Sequence, residues 1–162
     1  MDYLKRTQEL YDETLSHRRC LHQMPETGLE LPKTMEYLSR ELTEIGCDPI
    51  PCGGGLMVEL GNSGGKTVLL RADADGLPMA EESGLDFAAA KNAHTCGHDF
   101  HAAMLLTAAK LLKENESALQ GRVRLMFQPG EETFQGAKSM IAAGVLENPK
   151  PDVALACQKN SI

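Results

Sequence analysis

The chain has 162 residues, enough for one domain with a hydrophobic core or for part of a larger one. Hydrophobic residues make up 42% and charged residues 24%, an ordinary composition for a soluble globular protein. The net charge of -7 and the short apolar runs exclude a basic nucleic-acid-binding surface and a membrane span. The N-terminus has no apolar signal segment, and five scattered cysteines form no disulfide pattern, so we expect a cytoplasmic protein.

Helical and strand patterns alternate along the chain. Near-helical apolar spacing predicts a helix over residues 2–22, in which His17 and His22 are expected to be partly exposed rather than ligands. A second helix begins at Pro32 and ends before Gly46, which suits a left-handed cap. Further patterns predict helices over 100–113 and 136–143, and strands at 56–60, 67–71, 123–127 and 153–156. This alternation predicts an α/β fold with a mostly parallel sheet and helices on both faces.

A glycine-rich segment, residues 61–65, separates the first two predicted strands. Followed by Lys66 and Thr67, it resembles a phosphate-binding loop, but the spacing is one residue short. A phosphate-binding loop also leads into a helix, whereas a strand follows here. We therefore predict a hairpin turn between the strands at 56–60 and 67–71.

Asp73 and Asp75 come at the end of the second predicted strand. Carboxylates at that place in an α/β sheet are positioned for a functional site. They are equally suited to capping and solvating a turn, and the sequence alone leaves both interpretations open.

The segment His94-Thr95-Cys96-Gly97-His98-Asp99-Phe100-His101 contains several side chains that bind metals or protons. Cys96 and His98 lie two residues apart, and thiolate and imidazole are ligands that Zn²⁺ prefers. Taken alone, the pair is more often a packed cysteine beside surface histidines. An apolar helical pattern starts directly behind it, with Asp99 at the expected N-cap.

Glu131 and Glu132 follow the strand at 123–127, and they favour a metal site over a packed cysteine beside surface histidines. By themselves, two adjacent carboxylates after a strand indicate a solvated turn. Beside Cys96 and His98 they supply what a hydrolytic metal site needs, namely one more ligand and one proton acceptor. We expect the four side chains to converge at one edge of the sheet.

Five motifs in order resemble the metal-dependent amidohydrolases that include hippurate hydrolase, N-acyl-amino-acid deacylases and plant auxin-conjugate hydrolases. They are the segments at 18–26, 70–78, 94–101, 121–132 and 136–138. The resemblance implies that Cys96, His98 and Glu132 are metal ligands and that Glu131 is the general base. It also implies a divalent metal (Zn²⁺, Mn²⁺, Co²⁺ or Ni²⁺) and hydrolysis of the amide bond in small N-acyl amino acids or related conjugates. Asp73 could orient the site instead of binding metal.

The chain departs from this family in two ways. Gln158 stands where the family has a ligand histidine, so we expect at most one, weakly bound, ion per chain. The resemblance also implies that residues 1–162 are the N-terminal portion of a di-metal catalytic domain. The inserted dimerisation or lid domain and the C-terminal part would be absent, with a divergent tail from Lys159 onward. The alternative function is therefore an inactive remnant that binds metal weakly or self-associates through an exposed sheet edge.

Overall fold

The computed structural model of the chain describes residues 1–158, so the tail predicted from Lys159 onward lies outside the described residues. The helices and strands, in chain order, are α1 Tyr3–Glu9, α2 Tyr11–His22, α3 Pro32–Glu44, β1 Ile50–Cys52, β2 Gly55–Gly61, β3 Thr67–Asp73, α4 His98–Glu114, β4 Arg122–Gln128, α5 Gly136–Ala142 and β5 Val153–Ala156. A short 3₁₀ turn, Glu116–Ala118, links α4 to β4.

The predicted N-terminal helix is two helices, because the chain leaves helical geometry at Leu10. Leu10 is buried there, and its carbonyl starts α2 by accepting the Thr14 amide. Helix α3, the second of the predicted helices, agrees with the prediction at both ends. Pro32 is in its first turn, and Gly46 adopts a left-handed φ of 84° just after it.

The five strands form one sheet in the order β1-β2-β4-β3-β5. Strand β4 pairs in parallel with β3 and antiparallel with β2, while β5 pairs in parallel with β3. The α/β class is confirmed, and the sheet is mixed, since two of its four pairings are parallel and two antiparallel.

The predicted hairpin between the strands at 56–60 and 67–71 is wrong. Strand β4 lies between β2 and β3, so the glycine-rich segment joins two strands that are not neighbours. The hairpin of this sheet is instead formed by β1 and β2, which meet in register at Cys52 and Gly55.

Helices cover both faces of the sheet. On one face, alternate residues of β2 and β4, among them Val58, Leu125 and Phe127, pack with α2, α3 and α4 in the larger core. On the other face, Met126 packs with Met140 of α5 in a smaller core. The central strands β2, β3 and β4 therefore divide their side chains between two apolar layers, as a sheet covered on both faces requires.

Strands β1 and β5 are the two edges of the sheet. All four residues of β5 are exposed, and Val153 and Leu155 retain 46% and 58% of their accessible surface. Within the described residues, no helix combines the length and the apolar character that crossing a bilayer requires.

Candidate metal centre

The candidate site lies where β3 and β4 end. These parallel strands pair Asp73 with Gln128 at their last position, so the segments that follow them leave from the same edge of the sheet. After β4 the chain makes a tight turn, in which the amides of Gln135 and Gly136 both donate to the carbonyl of Gly130. A Cβ on Gly136 would lie 1.5 Å from the Pro129 carbonyl oxygen, so only glycine permits this closure.

Cys96, His98 and Glu132 come together at this edge, with one potential ligand atom from each lying within 4.8 Å of the others. We call these three residues the metal-ligand group. Gly97, at a left-handed φ of 85°, turns the chain so that α4 begins at His98. Glu131 is beside the group, with its Oε2 atom 3.8 Å from Nε2 of His98.

Asp75, two residues beyond the end of β3, holds the two glutamates in place. Its buried carboxylate accepts the backbone amides of Glu131 and Glu132, at 3.0 and 3.2 Å. Its backbone carbonyl lies 2.9 Å from Nδ1 of His98. One residue therefore sets the position of the glutamate turn and the orientation of the imidazole.

The imidazole of His98 is almost fully buried and presents Nε2 to the carboxylates. Because Nδ1 donates to the Asp75 carbonyl, Nε2 is the nitrogen available to a ligand. Burial works to lower the pKa of His98, but the hydrogen bond to Asp75 and the charge of Asp73 outweigh it and raise that pKa. In this acidic setting a positive charge at Nε2 is favoured.

Cys96 is held as a thiol by the same acidic surroundings. The partial desolvation of its sulfur, the adjacent Glu132 carboxylate and the charges of Glu131 and Asp73 raise the pKa of the thiol to about 11. A thiolate at this position therefore needs a positive charge beside it.

A second group overlaps the first. Single ligand atoms of Asp73, His98 and His101 also lie within 4.8 Å of one another. Here His101 is fully buried and its Nδ1 lies 2.5 Å from Oδ1 of Asp73, while Arg71 forms an ion pair with the other carboxylate oxygen at 2.7 Å. Burial works to raise the pKa of Asp73, but the hydrogen bond from His101 and the nearby positive charges lower it overall.

Asp99, the neighbour of His98, belongs to a different network. Its carboxylate is fully buried, and its Oδ2 lies 2.7 Å from His22 Nδ1 and 2.8 Å from Arg18 Nε, the latter as an ion pair without hydrogen-bond alignment. The other nitrogen of His22 lies 2.9 Å from Glu81. We call Arg18, His22, Glu81 and Asp99 the brace, because they tie α2 to the start of α4 and to the loop at residues 78–93.

Glu81 anchors that loop. It accepts hydrogen bonds from the Ser83 hydroxyl and the Ala89 amide as well as pairing with His22, and these contacts lower the pKa of Glu81 to about 2.

Two predictions about the residues of the brace are wrong. His22 is buried, not partly exposed, and Asp99 lies inside the first turn of α4, whose N-cap is Gly97.

The predicted convergence of Cys96, His98, Glu131 and Glu132 agrees with the geometry. Gln158 is exposed after β5 and is in neither candidate ligand group of the described residues. Asp75 and His101 also contribute contacts to the site, although neither was among the predicted site residues. Asp75 could be suspected only from its place at a strand end, and His101 only from its place in the 94–101 segment.

The metal-ligand group fits a divalent ion. Within residues 1–158, Nε2 of His98 and Oε1 of Glu132 are buried without a hydrogen-bond partner, although they lie 3.8 Å apart. Unpaired buried polar atoms are costly, so their presence side by side indicates a missing common partner. Sulfur, imidazole nitrogen and carboxylate oxygen form a donor set suited to zinc and related transition metals.

The fold and this site together define a metallohydrolase-type α/β domain, and comparison with known proteins agrees. The sequence profile described as peptidase family M20/M25/M40 matches residues 69–160, more than half of the chain. The chain belongs to this family.

Several relatives in the family cover nearly the whole chain. N-acetyl-L-cysteine deacetylase from Bacillus subtilis is 40% identical over an alignment of 159 residues; the match covers 90% of this chain and 38% of the relative. IAA-amino acid hydrolase ILR1-like 5 from Arabidopsis thaliana is 40% identical over an alignment of 150 residues; the match covers 90% of this chain and 34% of the relative. A crystal structure of a dinuclear metal-binding peptidase of the M20 family from Bacillus subtilis superposes with a TM-score of 0.85 at 32% identity.

That superposition covers 92% of this chain and 43% of the solved one. The chain thus spans about two fifths of the length of the relatives it matches. The relatives are hydrolases of N-acyl amino acids and amino-acid conjugates, and metal dependence is a property of the family.

Proposed function

We propose that the chain carries the metal centre of an amidohydrolase that cleaves N-acyl amino acids or related conjugates. The observation that supports this most directly is the group of Cys96, His98 and Glu132 with its two unpaired buried atoms. In this proposal the three residues hold one divalent ion, Zn²⁺ or one of Mn²⁺, Co²⁺ and Ni²⁺. When bound, such an ion polarises the amide carbonyl and lowers the pKa of water.

Glu131 is the proposed general base. Its carboxylate is partly exposed beside the metal-ligand group without belonging to it, so it can reach a water that attacks the amide. It accepts the proton of that water and donates it to the leaving nitrogen. Asp75 fixes the backbone of both glutamates, so the base and the ligand keep their separation when one side chain is changed.

A single ion per chain is part of the proposal. The group of Asp73, His98 and His101 shares His98 with the metal-ligand group, and Asp73 is already paired with His101 and Arg71. Metal analysis of the purified chain after dialysis should give no more than one equivalent. Two tightly held equivalents would contradict this part.

The test is a comparison of four single variants. Cys96→Ala and Glu132→Ala should lose Zn²⁺ binding in calorimetry, whereas Glu131→Gln should bind it as the unchanged chain does. Hydrolysis of a panel of N-acyl amino acids should vanish in Glu131→Gln. The matched control is Glu36→Gln, an exposed carboxylate on α3. Turnover that survives Glu131→Gln would refute the assigned base.

The alternative is a chain that binds metal but does not turn over substrate. It is favoured by the share of the relatives that the chain spans, because residues 1–162 would then be only the N-terminal portion of the catalytic domain. The calorimetry and hydrolysis measurements on these variants decide between the active and the inactive chain. Zn²⁺ binding that depends on Cys96, without hydrolysis of any panel member, would identify the inactive form.

We also propose that the chain acts in the cytoplasm and self-associates through β5. All five cysteines are free thiols, as a reducing compartment favours. Within residues 1–158, the edge strand exposes Val153 and Leu155, and no other strand pairs with its outer side. Leu155→Lys should shift sedimentation toward monomer, and Leu4→Lys on α1 should not. If the unchanged chain sediments as a monomer at high concentration, the proposed self-association is wrong.

A further inference from the structure

Phe134 is the most exposed large apolar side chain in the described part of the chain, with 78% of its surface accessible. It lies in the turn that follows β4, and its ring belongs to neither of the two apolar cores of residues 1–158. A buried aromatic side chain covers roughly 150–250 Å², so folding leaves most of that apolar area in water here. The ring therefore contributes little to the stability of the fold.

The backbone at Phe134 is also unfavourable for this residue type. Its φ of 56° lies in the left-handed region, which glycine adopts readily and which is an outlier for a bulky side chain. The closed turn imposes this conformation, because the Phe134 amide donates to the Glu131 carbonyl at 2.9 Å. Residues strained in this way concentrate at functional sites. Glycine would suit the backbone better, so folding gives no reason for a phenylalanine here.

The turn brings Phe134 close to the proposed reaction. A hydrogen-bonded turn of four residues places its first and last Cα atoms within about 7 Å, and the first residue of this turn is Glu131. In the proposed chemistry Glu131 donates its proton to the leaving nitrogen, so the amino-acid half of the substrate separates beside this turn. Among residues 130–135, Phe134 alone carries a large apolar side chain.

The charges of the same turn restrict which side chain suits it. Glu131 and Glu132 keep 34% and 25% of their side-chain surface accessible, so two carboxylates are partly open to solvent there. They repel a carboxylate on the side chain of a ligand, whereas an apolar side chain gains by covering the phenylalanine ring. The α-carboxylate is common to all N-acyl amino acids and does not enter this comparison.

We propose that Phe134 contacts the amino-acid side chain of the N-acyl amino acid, and that it selects large apolar side chains over small or acidic ones. This assignment rests on the proposed function, and it adds the residue that distinguishes one leaving amino acid from another. Phe134 has no part in metal binding or proton transfer, so its loss changes selectivity without removing the reaction.

Aromatic NMR can test the contact without turnover, in the Glu131→Gln variant loaded with Zn²⁺. The chain has four phenylalanines, and Phe127, fully buried in the larger core, is the internal reference. N-acetyl-L-phenylalanine should shift the ring signals of Phe134 saturably and leave those of Phe127 unchanged. N-acetyl-L-alanine should bind about fivefold more weakly for lack of apolar area, and N-acetyl-L-glutamate about tenfold more weakly for its charge.

A substitution then links the ring to selectivity. In the same background, Phe134→Ala should weaken binding of N-acetyl-L-phenylalanine about fivefold and leave that of N-acetyl-L-alanine within about twofold. The matched control is Tyr11→Ala, an aromatic residue 65% exposed on α2, which should change neither. Ligand-observed NMR measures both affinities. No saturable shift of Phe134, or an undiminished preference in Phe134→Ala, would overturn the proposal.

Phe134→Gly gives an independent readout in the metal-free chain. Relief of the left-handed strain should raise the thermal unfolding midpoint by about 1–3 °C. With Zn²⁺, the same variant should bind N-acetyl-L-phenylalanine about fivefold more weakly. A lower midpoint would show that the ring belongs to the fold, and would overturn the proposal.

Failure of this assignment is distinguishable from failure of the proposed function. If N-acyl amino acids are hydrolysed through Glu131 but Phe134→Ala leaves the preference for N-acetyl-L-phenylalanine over N-acetyl-L-alanine unchanged, the role of Phe134 is wrong and the function stands. If N-acetyl-L-phenylalanine shifts the Phe134 signals while Zn²⁺ binding does not depend on Cys96, the proposed function fails and the contact stands.

Discussion

Two networks of ionisable side chains meet at the dipeptide His98–Asp99, one on each residue. In the brace, Asp99 pairs with Arg18 and His22, and His22 reaches Glu81 with its second nitrogen. In the metal-ligand group, Nε2 of His98 and Oε1 of Glu132 have no hydrogen-bond partner within residues 1–158. The brace is the more deeply buried of the two, since Cys96 is exposed and the Glu132 side chain keeps 25% of its surface. In the brace, the one buried side-chain atom without a hydrogen bond within residues 1–158, Arg18 Nε, still lies 2.8 Å from its carboxylate, whereas Nε2 of His98 and Oε1 of Glu132 are 3.8 Å apart. What separates the structural network from the ligand-receiving one is therefore how closely its polar atoms are paired.

The largest expected effect comes from breaking the brace. Asp99→Ala removes a fully buried carboxylate that pairs with Arg18 and His22, and we expect it to lower the free energy of unfolding by about 3–5 kcal/mol. Urea denaturation followed by circular dichroism measures this. Asp48→Ala, at an exposed position, is the matched control. A loss no larger than that of the control would show that the brace is not structural.

The metal-ligand group should respond to an ion instead. Zn²⁺ at about one hundred times its dissociation constant should raise the free energy of unfolding by about 2.7 kcal/mol, because it binds the folded chain. Cys96→Ala should abolish this increment and leave the metal-free stability close to that of the unchanged chain. Thermal unfolding with Zn²⁺ and with a chelator gives both values. An equal increment in Cys96→Ala would place the ion elsewhere.

The affinity for the ion should rise with pH. The pKa of Cys96 is raised to about 11, so near neutral pH its thiol carries a proton that the ion must displace, and the raised pKa of His98 adds competition on the acidic side. Between about pH 6 and about pH 8 the binding constant should increase by at least about one power of ten per pH unit. Calorimetry in buffers of different ionisation enthalpy counts the protons released. An affinity independent of pH would exclude Cys96 as a ligand.

The smallest effect sharpens the contrast between two glutamates. In the metal-free chain Glu132→Gln should change stability by no more than about 0.5 kcal/mol, because no hydrogen bond to Oε1 is lost. Glu81→Gln weakens contacts with Ser83, Ala89 and His22 and should cost about 1–3 kcal/mol. Urea midpoints in chelator provide the comparison. Equal losses would mean that hydrogen-bond pairing does not distinguish the two networks.

The sequence alone predicted those features whose signal lies within a few neighbouring residues. Cys96 and His98 lie two residues apart, and Glu131 and Glu132 directly follow an apolar strand, so both segments could be assigned before their distance was known. The ends of α3 were likewise predictable, because proline at the start and glycine after the end act locally.

Long-range pairing was not predictable in this way. His22 looked exposed because its partners, Glu81 and Asp99, are 59 and 77 residues away in the chain. Asp75 remained ambiguous because it binds backbone amides, which leave no mark on residue identity. The hairpin error has the same origin, since nothing near residues 61–65 indicates that a strand made more than fifty residues later separates β2 from β3.

The position of β4 has a consequence for synthesis of the chain on the ribosome. Until Arg122–Gln128 emerges, β2 and β3 have no common partner, and the only strand pairing available is the β1–β2 hairpin. The apolar residues of both strands, Val58 and Ala72 among them, must therefore wait for a central strand that is the fourth of five to be made. The nascent chain is most prone to aggregation in this interval, and the arrival of β4 joins β2 to β3 and places the glutamate turn, which follows it directly, at the strand edge.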